Sequence, residues 1–106
     1  ITNHNEFYME NYKLYNNREE SRYEYHIGEY TPQIEYRTRP GEIALTHTRV
    51  SPDLRCKGIV TMLVKDVLDD IAKQGLKVIP LCSFAASYIK QDPEYKKLID
   101  KSITIG

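Results

Sequence analysis

The hydrophobic period of this chain switches from 2 to 3.6 and back, and that switch constrains the fold more than any other feature. In "EIALTHTRV" (42–50) side chains alternate, with Ile43, Leu45 and His47 on one face and Ala44, Thr46, Thr48 and Val50 on the other. That is the pattern of a strand. After the loop 51–58, Val60, Leu63, Val64, Val67, Leu68 and Ile71 fall on one helical stripe, while Lys65, Asp66, Asp69, Asp70 and Lys73 point outward. Gly75 closes the helix as a C-cap glycine. "KVIPLC" (77–82) is then a short apolar run of the kind a strand buried on both faces shows. Strand, helix and strand in this order predict a βαβ unit, with 42–50 and 77–82 as parallel neighbours and a right-handed crossover. Pro80 cannot donate to a ladder, so the last strand is expected to part from its neighbour there.

Upstream the pattern is strands and turns. A short strand at 12–15 and a turn in "NNREES" lead into "RYEYHI" (22–27), where Tyr23, Tyr25 and Ile27 share one face and Arg22, Glu24 and His26 the other. "QIEYRTR" (33–39) alternates through Ile34, Tyr36 and Thr38, and "RPGE" turns the chain at Pro40–Gly41. The short connections imply an antiparallel meander. Tyr23, Tyr25 and Tyr36 read as strand packing. Downstream, "SFAASYIKQ" and "PEYKKLIDK" read as helical turns broken at Pro93, with Tyr88 in the core and the Asp69–Asp70 pair on a solvated helix face. The fold class is α/β (α+β): a mixed sheet made of an antiparallel meander plus a βαβ unit with a diverging last strand.

At 106 residues the chain reads as one domain, 1–106, with Met9 a candidate start and 1–8 a leader or an added segment. Fifteen basic and fifteen acidic side chains cancel, which argues against a nucleic-acid partner held by bulk charge. No apolar run approaches the roughly 20 residues of a membrane span, and no signal-peptide core is present, so no membrane partner and a cytoplasmic location are expected. The two cysteines, Cys56 and Cys82, are too few for a disulfide framework and lack metal-ligand spacing. Oligomeric state is left open.

Ligands of α/β sheets collect beyond the carboxyl ends of the strands. Three features converge on that end: the loop 51–58, the helix start at Gly58–Ile59, and Cys82. A helix N-terminus offers unpaired N–H groups and partial positive charge, and Arg55 and Lys57 add cations beside it. A divergent strand pair leaves backbone groups that an extended amide-bearing chain could pair with. A ligand with a pyrophosphate and a peptide-like arm fits both, and coenzyme A is such a ligand.

The stretch "VSPDLRCKGIVTMLV" resembles the acyl-CoA pyrophosphate loop of the GNAT acetyltransferase superfamily, whose pattern is Arg/Gln-x-x-Gly-x-Gly/Ala. Arg55 matches its first position and Gly58 its central glycine. The run 34–98 resembles a subfamily of very small GNAT-like proteins through Thr46-His47-Thr48, Leu81-Cys82-Ser83-Phe84 and Pro93-Glu94-Tyr95. The resemblance implies acetyl-CoA as cosubstrate and transfer of acetyl to an unidentified amine. It implies that backbone amides of Arg55, Cys56, Lys57, Gly58, Ile59 and Val60 hold the pyrophosphate, and that Thr48, Arg49 and Val50 pair the pantetheine arm. Ser83, at the start of the next helix, joins the cofactor-binding set, and Cys82 and His47 are implied near the thioester. The helices that build an acceptor pocket in larger relatives have no room here, so an open acceptor side is expected.

Two positions depart from the pattern: Cys56 stands where glycine is usual, and Val60 where glycine or alanine is usual. Each singled-out side chain also has a plain reading. Arg55 and Lys57 are then a solvated loop, Cys82 a small buried hydrophobe, and His47 a hydrogen-bonded structural histidine. The functional readings make Cys82 an acyl acceptor or an aid to transfer, and His47 a general base. The rival to an enzyme is a protein that binds acetyl-CoA without turning over an acceptor. A third reading is an interaction domain with an inert loop.

Overall fold

Five strands pair in chain order into one sheet: β1 (Tyr15–Asn17), β2 (Arg22–Glu24), β3 (Gln33–Arg39), β4 (Glu42–Arg49) and β5 (Lys77–Pro80). The structure, a computed structural model, describes residues 12–99, and of 55–57 the backbone alone. β1 to β4 run antiparallel, and β5 joins β4 in parallel. The crossover passes through a 3-10 helix, Pro52–Lys57, and α1 (Ile59–Lys73); α2 (Ser83–Gln91) and a second 3-10 helix, Pro93–Leu98, follow β5. This is the expected mixed sheet. Among the described residues no helix is long and apolar enough to cross a membrane.

The 3.6-residue stripe gives α1 its buried side: Ile59, Leu63, Val64, Val67, Leu68 and Ile71 pack with Tyr23, Ile34, Tyr36, Leu45 and Val78 of the sheet. The outward face of α1 is less solvated than its charges suggest. Tyr23 Oη donates to Asp70 at 2.7 Å, Tyr25 Oη to Asp66 at 2.5 Å, and Tyr95 Oη to Asp69 at 2.6 Å. Burial first, then the facing carboxylate, pushes the titration of all three hydroxyls upward. The Asp69–Asp70 pair therefore anchors α1 at both flanks. A helix surface can hold carboxylates that tyrosines reach from neighbouring elements.

Other expectations shift. The first strand lies at Tyr15–Asn17 rather than 12–15. β2 ends at Glu24, and residues 25–32 form a tight loop closed by Tyr25 N–H to the Pro32 carbonyl at 3.0 Å and by an Ile27–Tyr30 bridge. Glu24, read as outward-facing, is 4% exposed. Arg22 Nε and His26 Nε2 each lie 2.6 Å from its carboxylate oxygens and fold over it. Burial works to raise this carboxyl, but the hydrogen bonds of His26, Arg22 and Asn17 outweigh it and hold it below the ordinary carboxylate range. Tyr88 is only partly buried, stacked on Tyr95. The reading of 1–8 as a leader, and the end of "PEYKKLIDK", lie outside the described residues.

The shift with most consequence is in β4. Its pairing with β3 slips by one residue, so that Tyr36 faces Leu45 but Glu35 faces His47, and Thr46 bulges out of the ladder. An extra residue reverses the faces of everything beyond it. Thr48, opposite Ile34, therefore shares the α1-side face with Ile43 and Leu45. His47 joins Glu35 on the opposite face and is exposed. Simple alternation had assigned these two residues the other way round.

Candidate functional site

The β4–β5 ladder stops at Leu45 opposite Pro80. Beyond it the N–H groups of Leu81 and Cys82 both donate to the single carbonyl of Leu45, each at 3.0 Å. That shared acceptor turns the chain away into α2. On this edge, Thr46 to Arg49 of β4 have no strand partner among the described residues. Proline as the last ladder residue is what makes the parting cheap, since it brings no N–H that would have to be paired.

A cavity of about 460 Å³ opens beside this free edge, lined by His47, Thr48, Arg49, Val50 and Phe84. A second, lined by Val50, Gly58, Val60, Thr61 and Phe84, shares two of those residues and reaches the start of α1. Together they trace a groove from a helix N-terminus at one end to Thr48 at the other. Gly58 caps that helix at φ +72° and, as glycine, brings no side chain to bond its first turn. A Cβ at Gly58 would meet no atom within 4 Å, so the left-handed backbone alone is what asks for glycine. Ile59 is buried in the core, whereas Val60 is half-buried and its side chain lines the groove. Val60 thus takes the position where clearance for a ligand matters.

At the other end, Cys82 is 7% exposed and is the N-cap residue of α2, its thiol making no cap bond. Thr48 Oγ1 donates to Cys82 Sγ at 3.2 Å. Ser83 is exposed at the first position of α2. Arg49 is engaged on the far face, Nε to Glu35 at 2.8 Å. The structure thus brings His47, Thr48, Arg49, Val50, Gly58 and Val60 to one groove, with Cys82 behind Thr48 rather than in its lining. The side chains of Arg55, Cys56 and Lys57 lie outside what is described; their backbone forms the end of the 3-10 helix before Gly58.

Phe84, like Thr61, is a lining residue that composition and period did not single out. It borders both cavities and a third between the helices, with Val64, Ser87 and Tyr88, and is 50% exposed. Leu81 is 66% exposed. Apolar residues on both sides of Cys82, at the solvent end of a strand, were the available signal.

A family model described as GCN5-related N-acetyl-transferase matches residues 22–98, which span the sheet from β2 onward and both groove ends. Among solved structures, the solution NMR structure of a GCN5-like N-acetyltransferase candidate from Staphylococcus aureus is similar. The two share 27% identity and a TM-score of 0.64, over 87% of this chain and 91% of that one. No curated protein matches the sequence.

Proposed function

The chain belongs to the GCN5-related N-acetyltransferase family, and on that premise we propose that it transfers acetyl from acetyl-CoA to an amine. The observation that carries this reading is the free edge of β4 between the α1 N-terminus and Cys82. An extended pantetheine arm pairs with that edge at Thr48, Arg49 and Val50. Its pyrophosphate meets the N–H groups of 55–60, where a helix N-terminus favours an anion. The thioester then lies by the Thr46 bulge, where backbone N–H groups polarise its carbonyl as an oxyanion hole does. Cys82 lies beside the reacting carbon. His47, exposed at the groove rim, or a water takes the proton of the incoming amine.

Titration calorimetry with acetyl-CoA, followed by CoA release across a panel of small amines, tests the proposal. Saturable binding and amine-dependent release support it. Absence of binding at millimolar acetyl-CoA would falsify it. A second reading, acetyl-CoA binding without turnover, draws on Val60 in the groove and would be favoured by binding with no release.

A further inference from the structure

We infer that Tyr30 is a positioning residue for the pyrophosphate end of the groove: through Asp53 it holds the 51–58 loop in the shape that presents its backbone N–H groups. This rests on the acetyl-CoA reading above and adds what keeps the anion-binding backbone in place before a ligand arrives.

The N–H groups assigned to the pyrophosphate belong to a segment that needs outside support. Pro52–Lys57 is a six-residue 3-10 helix, longer than the three or four residues over which that geometry is usually sustained. Leu54, 6% exposed, and Ile59, 3% exposed, anchor it in the core on either side of 55–58. Ser51 caps its start, Oγ accepting from the Asp53 N–H at 3.3 Å. The remaining tie comes from another part of the chain. Tyr30 Oη donates to the Asp53 carboxylate at 2.7 Å, across 23 residues of sequence. Among the described residues no other side-chain hydrogen bond joins this 3-10 helix to a different element.

Tyr30 is itself firmly held. It lies in the loop 25–32, where Ile27 and Tyr30 exchange backbone hydrogen bonds at 2.9 and 2.8 Å. Tyr25 N–H closes the same loop on the Pro32 carbonyl at 3.0 Å. Pro32 is fully buried, and the Tyr30 ring packs against the core. A hydroxyl on that frame gives the 3-10 helix a fixed reference, and a bond to a carboxylate is of the stronger, charge-assisted kind. The bond also sets where the Asp53 charge points. A carboxylate five residues before Gly58 repels a pyrophosphate if it can swing toward the groove. Held on Tyr30, it faces the 25–32 loop instead. Neither Tyr30 nor Asp53 lines the groove, so both act on it through the backbone that leads to Gly58.

The test uses the full chain and opens with calorimetry on acetyl-CoA. Absence of binding to the wild type overturns the acetyl-CoA reading, and this inference with it. With binding established, Tyr30→Phe is expected to weaken acetyl-CoA about fivefold, since it keeps the ring and removes only the hydroxyl. In the Asp53→Ala background the same change is expected to have no further effect, because Tyr30 then has no carboxylate to hold. Amide hydrogen exchange separates positioning from general loosening. In Tyr30→Phe it should speed about fivefold at 54–60 and stay as in wild type in β3, β4 and the middle of α1. An affinity within about twofold of wild type in Tyr30→Phe overturns the inference while acetyl-CoA binding stands. So does an equal loss from Tyr30→Phe in the Asp53→Ala background, which means that Tyr30 acts by another route. Unchanged exchange at 54–60, or faster exchange throughout the sheet, overturns it as well.

Discussion

The phenol of Tyr25 reaches from the loop after β2 to Asp66 in the middle of α1, O to O at 2.5 Å. The contact ties sequence-distant elements through one hydrogen bond, and Tyr23–Asp70 repeats it one helical turn on.

Tyr25→Phe keeps the buried ring and leaves Asp66 to water. A loss of about 1–2 kcal/mol in urea unfolding is expected. The same pairs predict the alkaline limit. The folded hydroxyls of Tyr23, Tyr25 and Tyr95 titrate above their unfolded value. Their contribution is therefore complete below the ordinary tyrosine range, near pH 10, and disappears as pH rises through the folded values. Wild-type stability should fall above about pH 10, and less so in Tyr25→Phe. Equal slopes in the two proteins would contradict this.

Glu24 gives the opposite sign. Its folded carboxyl titrates below the unfolded value, so its contribution is present above the ordinary carboxylate range and lost as pH falls through the folded one. Glu24→Gln should cost about 2 kcal/mol at neutral pH, since Arg22 and His26 lose a charged partner. The difference from wild type should shrink on acidification. A cost independent of pH would assign Glu24 a packing role only.

At Gly58 the space is free and the backbone is not. Gly58→Ala should cost about 1 kcal/mol from the left-handed conformation alone, read as a shift in the thermal midpoint. An unchanged midpoint would mean that the turn before α1 relaxes without loss.

Val60 narrows the groove at its helix end. Val60→Ala should tighten acetyl-CoA binding about threefold or more, while Val60→Phe should abolish it at millimolar ligand. Equal affinity in all three proteins would place the ligand elsewhere.

The long periodic segments were legible in the sequence. β3 and β4 begin where the alternation begins, and α1 ends one residue before Gln74 and two before the C-cap glycine the pattern named, Gly75. The bulge was not legible. Thr46 looks like any other alternating residue, and the slip is decided by pairing with Glu35 and Tyr36 on another strand. For that reason the sequence placed both His47 and Thr48 near the site but exchanged their faces. The polar cluster on β2 was half legible. Arg22, Glu24 and His26 alternate on one face, yet only the folded side chains show the guanidinium and the imidazole closing over the carboxylate. Phe84 went unrecognised as a groove wall because an aromatic residue opening a helix reads as core by default.

The bulge also governs how this chain can vary. Substitution at Thr46 leaves the phase of β4 to the pairs on either side of it and removes only the Thr46 Oγ1 hydrogen bond to the Glu35 carbonyl at 3.3 Å. Deletion there would remove the bulge and keep the pairing: Leu45, His47 and Thr48 would still face Tyr36, Glu35 and Ile34, with His47 outward and Thr48 on the face of Leu45. The tip of the strand should therefore absorb the loss of this one residue better than the gain of another. In a deep mutational library of this protein, deletion of the Thr46 codon should be less depleted for ligand binding than single-codon insertions at 44–47.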